Sequence, residues 1–155
     1  MKVTLPSDRE ILIESPFAAS RELLFAAMTQ PAHLPHWMEA AGMKLVGCEV
    51  DLRPGGSLRH TYQRPSGRTI EVRGRYEHVD APHGYSYVET YDFSPLQVHV
   101  SVELLPVEKG TMLRQRLTYA SKQERDEDLN GVSTSSAEAF DRLDAYLRTL
   151  DSNRN

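Results

Sequence analysis

Apolar and polar side chains alternate along much of the middle of the chain. The clearest case is residues 97–105, where Val98, Val100, Val102 and Leu104 occupy every second position. Because successive side chains of a strand point to opposite faces, this alternation predicts a strand with one buried face. The predicted strands are Glu10–Ser15, Lys44–Val50, Ser57–Gln63, Thr69–Val79, Tyr85–Tyr91, Gln97–Leu105 and Thr111–Tyr119. Turns that contain Gly or Pro connect most of them, which indicates antiparallel hairpins.

Two short helices are predicted after the first strand. Ser20 is a suitable N-cap for a helix that continues to Met28 and stops at Thr29–Gln30. It stops there because Pro31 disfavours helical backbone in the residue before it. A second short helix is expected to begin at Pro31, since proline is favourable in a first helical turn.

A long helix is predicted at the C-terminus. Phe140, Leu143, Leu147 and Leu150 are spaced by three or four residues, which gives one apolar stripe on a helix from about Thr134 to Leu150. Ser133 is a plausible N-cap for it. The charged segment 121–128 is left open as a loop or a short polar helix, and the pair at 130–131 (Asn-Gly) is expected to break it.

This order of elements predicts an α+β fold. It runs as a strand, two short helices, six strands and a long helix, and a helix that covers one face of a sheet is a stable layered arrangement. A long antiparallel sheet twists and curls. A helix gripped by such a sheet can leave a cavity beneath it, and small ligands bind in such concave places.

Length and composition narrow the class of protein. The chain has 155 residues, which predicts one domain over 1–155 with a core at about 9–150. One cysteine excludes a disulfide scaffold. The sequence has no apolar run of membrane-helix length and no signal peptide, so no membrane and a cytoplasmic location are expected. A net charge of −4 argues against nucleic acid as a partner.

Several landmarks along the chain occur in the order found in a known family. They are Ser15-Pro16, Arg21–Thr29, Pro31, His36–Trp37, Asp51–Gly56, Gly67, Gly74–Tyr76, Gly110–Thr111 and Ala139–Leu147. With them the chain resembles the activator-of-heat-shock-protein-90-ATPase homologue family, within the SRPBCC (START-like, birch-pollen-allergen-like) superfamily. The resemblance implies a helix-grip fold, with about seven antiparallel strands wrapped around the C-terminal helix and a pocket between them. Many single-domain bacterial members of the family are pocket proteins of unassigned ligand.

The candidate pocket residues combine aromatic rings with polar groups on apolar strand faces. They are Trp37, Met38, His60, Tyr62, Tyr76, Tyr87, Glu89, Gln115 and Phe140. Tyrosine offers apolar area with one polar atom, which suits a planar or aromatic ligand. His60 is either a buried, hydrogen-bonded histidine or a ligand-contacting acid or base, and it could pair with Glu89. The ordinary alternative for Glu89 is solvent exposure or an arginine partner.

Three functions remain open from the sequence. The leading hypothesis is a non-enzymatic protein that binds a small apolar or aromatic molecule, without a cofactor. The alternatives are a cyclase, dehydratase or hydrolase that uses a pocket His, Glu or Tyr, and a chaperone- or stress-associated interaction module. No metal is expected, because His33 and His36 lack a third ligand at a recognised spacing. A homodimer is left open.

Overall fold

A computed structural model describes residues 1–39 and 41–152. The strands are β1 (Lys2–Thr4), β2 (Glu10–Phe17), β3 (Lys44–Val50), β4 (Ser57–Gln63), β5 (Thr69–Asp80), β6 (Gly84–Tyr91), β7 (Ser94–Val107) and β8 (Gly110–Thr118). The helices are α1 (Arg21–Thr29), a 3₁₀ helix (Leu34–His36) and α2 (Lys122–Ser152). The predicted α+β class is confirmed, and the arrangement is that of a helix-grip fold.

All eight strands form one antiparallel sheet, in the order β1-β2-β8-β7-β6-β5-β4-β3. From β3 to β8 each strand pairs with the next one along the chain, as expected for successive hairpins. The exception is β2, which pairs with β8 near the other end of the chain and places Ile11 opposite Leu117. This pairing sets β1 and β2 beyond β8, with β1 at one edge of the sheet and β3 at the other.

The core lies between the inner face of this sheet and the helices. Leu143 and Leu147 of α2 are almost completely buried there, together with alternating residues of β7 such as Val98 and Val100. The ring of Phe140 packs edge-on against that of Phe17, with 5.8 Å between ring centroids. The predicted apolar stripe of the C-terminal helix is therefore the face that packs on the sheet.

The prediction of about seven strands missed the strand at Lys2–Thr4. This strand is short and pairs only with the middle of β2, where Lys2 faces Glu14 and Thr4 faces Leu12. Three residues show too little alternation to indicate a strand from sequence alone. Beyond Glu14, β2 has a neighbour on one side only, which lets it continue through Pro16 to Phe17 without a backbone donor at the proline.

The C-terminal helix is 31 residues long, and its predicted start was wrong. It begins at Lys122, where Ser121 Oγ accepts a hydrogen bond from the Glu124 backbone N–H at 3.2 Å, and it continues through residues 130–131 without a break. Ser133, predicted as the N-cap, instead donates from Oγ to the Leu129 carbonyl at 2.7 Å inside the helix. The local preference of an Asn-Gly pair for a turn is outweighed by a helix that extends on both sides.

The first helix matches its prediction more closely than the second. Ser20 Oγ accepts from the Leu23 N–H at 3.1 Å, and the helix ends at Thr29. The second begins at Leu34 rather than at Pro31, as one 3₁₀ turn with Pro35 in it.

In the described part of the chain, no helix is both long and apolar enough to cross a membrane.

Candidate functional site

A cavity of about 240 Å³, here called the inner cavity, lies between the concave face of the sheet and α2. All nine candidate residues predicted from the sequence line it. They come from every layer of the fold: Trp37 and Met38 after the 3₁₀ helix, His60 and Tyr62 from β4, Tyr76 from β5, Tyr87 and Glu89 from β6, Gln115 from β8 and Phe140 from α2. Tyr85, which alternates with Tyr87 and Glu89, also lines it and was missing from the candidates.

Strand alternation and a glycine together shape the sheet side of this cavity. Tyr76 pairs with Tyr87 across β5 and β6, and Gly74 lies opposite both Leu58 and Glu89 in the same face. A Cβ atom at Gly74 would lie 2.9 Å from Leu58 Cγ and 3.0 Å from Tyr87 Cδ2, which is too close. The absent side chain lets the neighbouring leucine and tyrosine close over β5.

His60 is a neutral polar group inside the cavity wall. Its side chain is only 9% exposed, and its Nε2 has no hydrogen-bond partner among the described residues. Burial lowers the pKa of His60 to about 4, because the charged form would lose its hydration. The ring is therefore uncharged at neutral pH, and its buried Nε2 is left without a hydrogen bond.

The tyrosine hydroxyls add polar groups to the same wall. The hydroxyls of Tyr62, Tyr76, Tyr85 and Tyr87 make no hydrogen bond to another described residue. Burial raises the pKa of each of these hydroxyls, to about 12 for Tyr76, so they remain protonated and can donate. A cavity with apolar rings and unpartnered hydroxyls is suited to hold a molecule with both kinds of surface.

Among the described residues that line the inner cavity, Glu89 is the one with a carboxyl group. Tyr91 Oη donates to Glu89 Oε2 at 2.6 Å. Burial raises the pKa of Glu89 to about 7, the hydrogen bond from Tyr91 opposes this, and the charge of Asp128 adds to the rise. The structure shows no direct hydrogen bond between Glu89 and His60, although both side chains line the inner cavity. Glu89 faces the cavity instead of pairing with an arginine.

A second hollow of about 460 Å³, here called the vestibule, adjoins the inner cavity. The two share six lining residues: Met38, Tyr62, Glu89, Val132, Ser135 and Ala139. Phe93, which is 54% exposed, lies at the outer side of the vestibule. Its ring packs against that of Tyr91, with 5.4 Å between the ring centroids. Asp128 also lines the vestibule, and its Oδ2 accepts a hydrogen bond from Tyr119 Oη at 2.5 Å.

The vestibule contains the functional candidates that sequence analysis missed. Asp128, Val132 and Ser135 lie on α2, two of them before the predicted start of that helix at Thr134. The available signal was the Ser-Lys-Gln-Glu segment at 121–124, a capping pattern that predicts a helix start there.

The two histidines considered as metal ligands have another partner. His33 Nδ1 is 2.7 Å from Tyr146 Oη, and the ring of His36 stacks on the ring of the same tyrosine with 4.8 Å between the ring centroids. They therefore fix the 3₁₀ helix against α2. Within residues 1–39 and 41–152, no three His, Cys, Asp or Glu side chains are grouped so that they could hold a metal ion.

A further hollow lies on the convex face of the sheet and is an ordinary charged surface. It has a volume of about 820 Å³ and is lined by Arg59, Arg73 and Arg75. Arg59 pairs with Glu49 at 3.0 Å, and Arg73 pairs with Glu71 at 2.7 Å. Exposed pairs of this kind are typical of a solvated sheet face.

Comparison with known proteins agrees with the fold and the family resemblance. Residues 18–148 match the family described as Activator of Hsp90 ATPase homolog 1-like protein. A crystal structure of a Rhodobacter sphaeroides protein is 34% identical, with a TM-score of 0.90 over 96% of this chain and 99% of that one. A crystal structure of a Mycobacterium smegmatis protein is 22% identical, with a TM-score of 0.86 over 97% of this chain and 98% of that one.

A solution structure of an AHSA1-like protein from Aeromonas hydrophila is 20% identical, with a TM-score of 0.71 over 92% of this chain and 94% of that one. These last two similarities concern the fold alone. No curated protein matches the chain significantly in sequence. The family match covers most of the chain and agrees with the gripped helix and the cavity under it, so this protein belongs to the Activator of Hsp90 ATPase homolog 1-like family.

Proposed function

We propose that this protein binds a small molecule with an apolar or aromatic body in the inner cavity. The observation that carries the proposal is the lining. Aromatic rings surround the space, and so do His60, whose buried Nε2 is unpaired, and tyrosines whose hydroxyls have no hydrogen-bond partner among the described residues. Unpaired polar groups in an apolar wall are costly, and a ligand or water that bonds to them removes that cost.

The size of the space supports the same proposal. The inner cavity of about 240 Å³ adjoins the vestibule of about 460 Å³. Together they lie in the range of roughly 300–1,000 Å³ that is usual for small-molecule sites. A ligand would place its ring system among Tyr76, Tyr85 and Tyr87 and extend toward the vestibule at Glu89.

Trp37 gives a direct measurement of binding. It is the single tryptophan of the chain, it lines the inner cavity, and its Nε1 donates to the Ala27 carbonyl at 2.9 Å. We expect saturable changes in its fluorescence, with a matching rise in melting temperature, when flavonoids, polyketides and lipids are titrated as a panel. No change with any compound of the panel would count against the proposal.

A blocking variant tests the location. Ser135 lies on both the inner cavity and the vestibule, so Ser135→Phe is expected to weaken binding at least about tenfold, equivalent to 1.4 kcal/mol. Thr134→Phe is the matched control, because Thr134 is exposed and lines neither hollow. Equal binding by both variants would place the ligand elsewhere.

An acid–base reaction in the same cavity is the second candidate, supported by Glu89. A carboxyl group with a pKa near 7 can donate or accept a proton at neutral pH. The discriminating experiment incubates each bound compound with the protein and looks for a product by mass spectrometry. Product that forms with the parent and not with Glu89→Gln would favour the enzyme, whereas unaltered compound favours the binding protein.

A further inference from the structure

The charged groups around the two hollows are of one sign. Of the described residues that line the inner cavity and the vestibule, none is Lys or Arg, and the one histidine is His60, which is neutral. Three carboxylates line the vestibule: Glu39, Glu89 and Asp128. Glu39 is balanced from outside, since its Oε2 lies 3.6 Å from Arg142 Nη1.

Glu89 and Asp128 have no such balance. Each accepts a hydrogen bond from a tyrosine hydroxyl, Tyr91 for Glu89 and Tyr119 for Asp128. Neither lies within 4 Å of a basic side chain of the described residues. Their negative charges also oppose each other, since Asp128 disfavours ionisation of Glu89. Two uncompensated carboxylates in a partly enclosed space are unfavourable unless a positive charge joins them.

The walls around the carboxylates are aromatic. Tyr62 lines both hollows next to Glu89, and Tyr91 and Phe93 line the vestibule. Aromatic faces attract cations, most strongly where water is excluded. An ammonium group in this place would therefore have carboxylate oxygens on one side and ring faces on another.

The inner end of the space offers a different kind of contact. His60 lines the inner cavity and is 9% exposed, and its buried Nε2 has no hydrogen-bond partner among the described residues. The unpartnered hydroxyls of Tyr76 and Tyr87 belong to the same wall, and this set of polar groups fits a hydroxyl or amide of a bound molecule. This observation is independent of the carboxylates and indicates that a ligand reaches past Glu89 into the cavity.

We infer that the ligand is a cationic amphiphile, with an apolar or aromatic body in the inner cavity and a protonated amine held by Glu89 and Asp128. The inference rests on the proposed function and specifies the chemical class of its ligand. An anionic molecule of the same shape is rejected, because its charge would lie beside two carboxylates without a compensating base.

Three probes of one skeleton test the charge preference: 4-phenylbutylamine, 4-phenylbutanol and 4-phenylbutyrate. Each is titrated into the protein at pH 8 and low salt by isothermal calorimetry, with Trp37 fluorescence as a second readout. The amine is expected to bind at least about tenfold more tightly than the alcohol, and the carboxylate more weakly than both.

Variants assign the preference to the two carboxylates. Glu89→Gln keeps an oxygen that can accept a hydrogen bond from Tyr91, and in this variant the amine and the alcohol are expected to bind with equal affinity. Asp128→Asn is expected to reduce the preference for the amine in part. Glu127→Gln is the matched control: it removes the same charge from the residue next to Asp128, on the exposed side of α2 and outside both hollows. It is expected to keep the full preference.

The outcomes separate this inference from the proposed function. An alcohol that binds as tightly as the amine, or a preference that survives in both Glu89→Gln and Asp128→Asn, overturns the cationic ligand and leaves the binding protein standing. An equal loss in Glu127→Gln assigns the effect to overall charge and also overturns it. If a compound of the neutral panel binds and the amine does not, the inference alone fails.

Discussion

Glu89 combines burial with a tyrosine hydrogen bond and a nearby negative charge. The hydrogen bond from Tyr91 favours the carboxylate, whereas burial and Asp128 favour the carboxylic acid, and the balance is a pKa of about 7. A carboxyl group whose pKa is higher in the folded state than in the unfolded chain binds a proton on folding. Its contribution to stability is therefore largest at low pH and is lost as pH rises from about 4.5 to 7.

Glu89→Gln is expected to stabilise the protein at alkaline pH, because the amide carries no charge to bury. The advantage of the variant over the parent should widen by about 2 kcal/mol between pH 5.5 and pH 8. Urea unfolding at the two pH values measures it. Titration of His60 affects both proteins equally and cancels in the comparison. A constant difference across this range would show that Glu89 is ionised and solvated in the folded protein.

Alternation along a strand found most of the candidate residues that the sheet contributes to the cavity wall, because a period of two fixes which side chains share a face, although Tyr85 was missed. It could not assign their partners. Tyr87 and Tyr91 both lie two residues from Glu89 on the same strand, and alternation does not decide which of them donates to it. The neutrality of His60 depends on burial by elements distant in sequence. Glu89 and His60 line the same space, but the direct hydrogen bond of Glu89 is to Tyr91.

At the scale of elements, α2 determines the shape of the site. Its C-terminal half packs on the sheet through Leu143 and Leu147, and its N-terminal half carries Asp128 and Val132 on the vestibule. The break predicted at residues 130–131 would have removed the N-terminal half of α2 from the site. Propensity of a dipeptide is a weak signal, and here it is outweighed by a capped start at Ser121 and by packing further along the helix.

Gly131→Ala tests the continuity of α2. Gly131 lies inside the helix, and a Cβ atom there would meet no atom within 4 Å apart from the adjoining backbone of α2. Alanine at an exposed helix-interior glycine is expected to raise the free energy of unfolding by about 0.5–1 kcal/mol, measured by thermal or urea denaturation. Gly131→Pro is the opposing variant and should destabilise by about 3 kcal/mol. If alanine lowers the stability, the helix is interrupted at this glycine.

At the scale of the whole molecule, Arg125 connects the start of α2 to the N-terminal end of the sheet. This residue is 4% exposed, and its Nη1 donates to the carbonyls of Ser7 at 2.8 Å and Glu10 at 3.1 Å. Its Nε also donates to Asp126 Oδ1 at 2.8 Å. A buried guanidinium with three such acceptors joins segments more than a hundred residues apart in sequence. From sequence alone it was one charge in a polar segment, because only the fold brings Ser7 and Glu10 to it.

Arg125→Met is expected to lower the free energy of unfolding by about 2 kcal/mol, because methionine keeps the aliphatic packing and loses the donors. Lys122→Met provides the control. Lys122 lies in the same turn and forms an exposed ion pair with Asp126 at 2.8 Å, so its loss should cost less than about 1 kcal/mol. Equal effects of the two variants in urea unfolding would mean that the bonds of Arg125 to the backbone contribute nothing.

The strand order also has a consequence for the kinetics of folding. From β3 to β8 every pairing is between neighbours in sequence, so these hairpins can form as soon as each turn closes. The pairing of β2 with β8 brings together Glu10 and Arg116, which are 106 positions apart, and the loop it closes has a far larger entropic cost. During synthesis, β2 must therefore wait for β8 to leave the ribosome. Because α2 follows β8 in the chain and forms one wall of the inner cavity, this cavity is expected to close last, when the helix packs on the sheet.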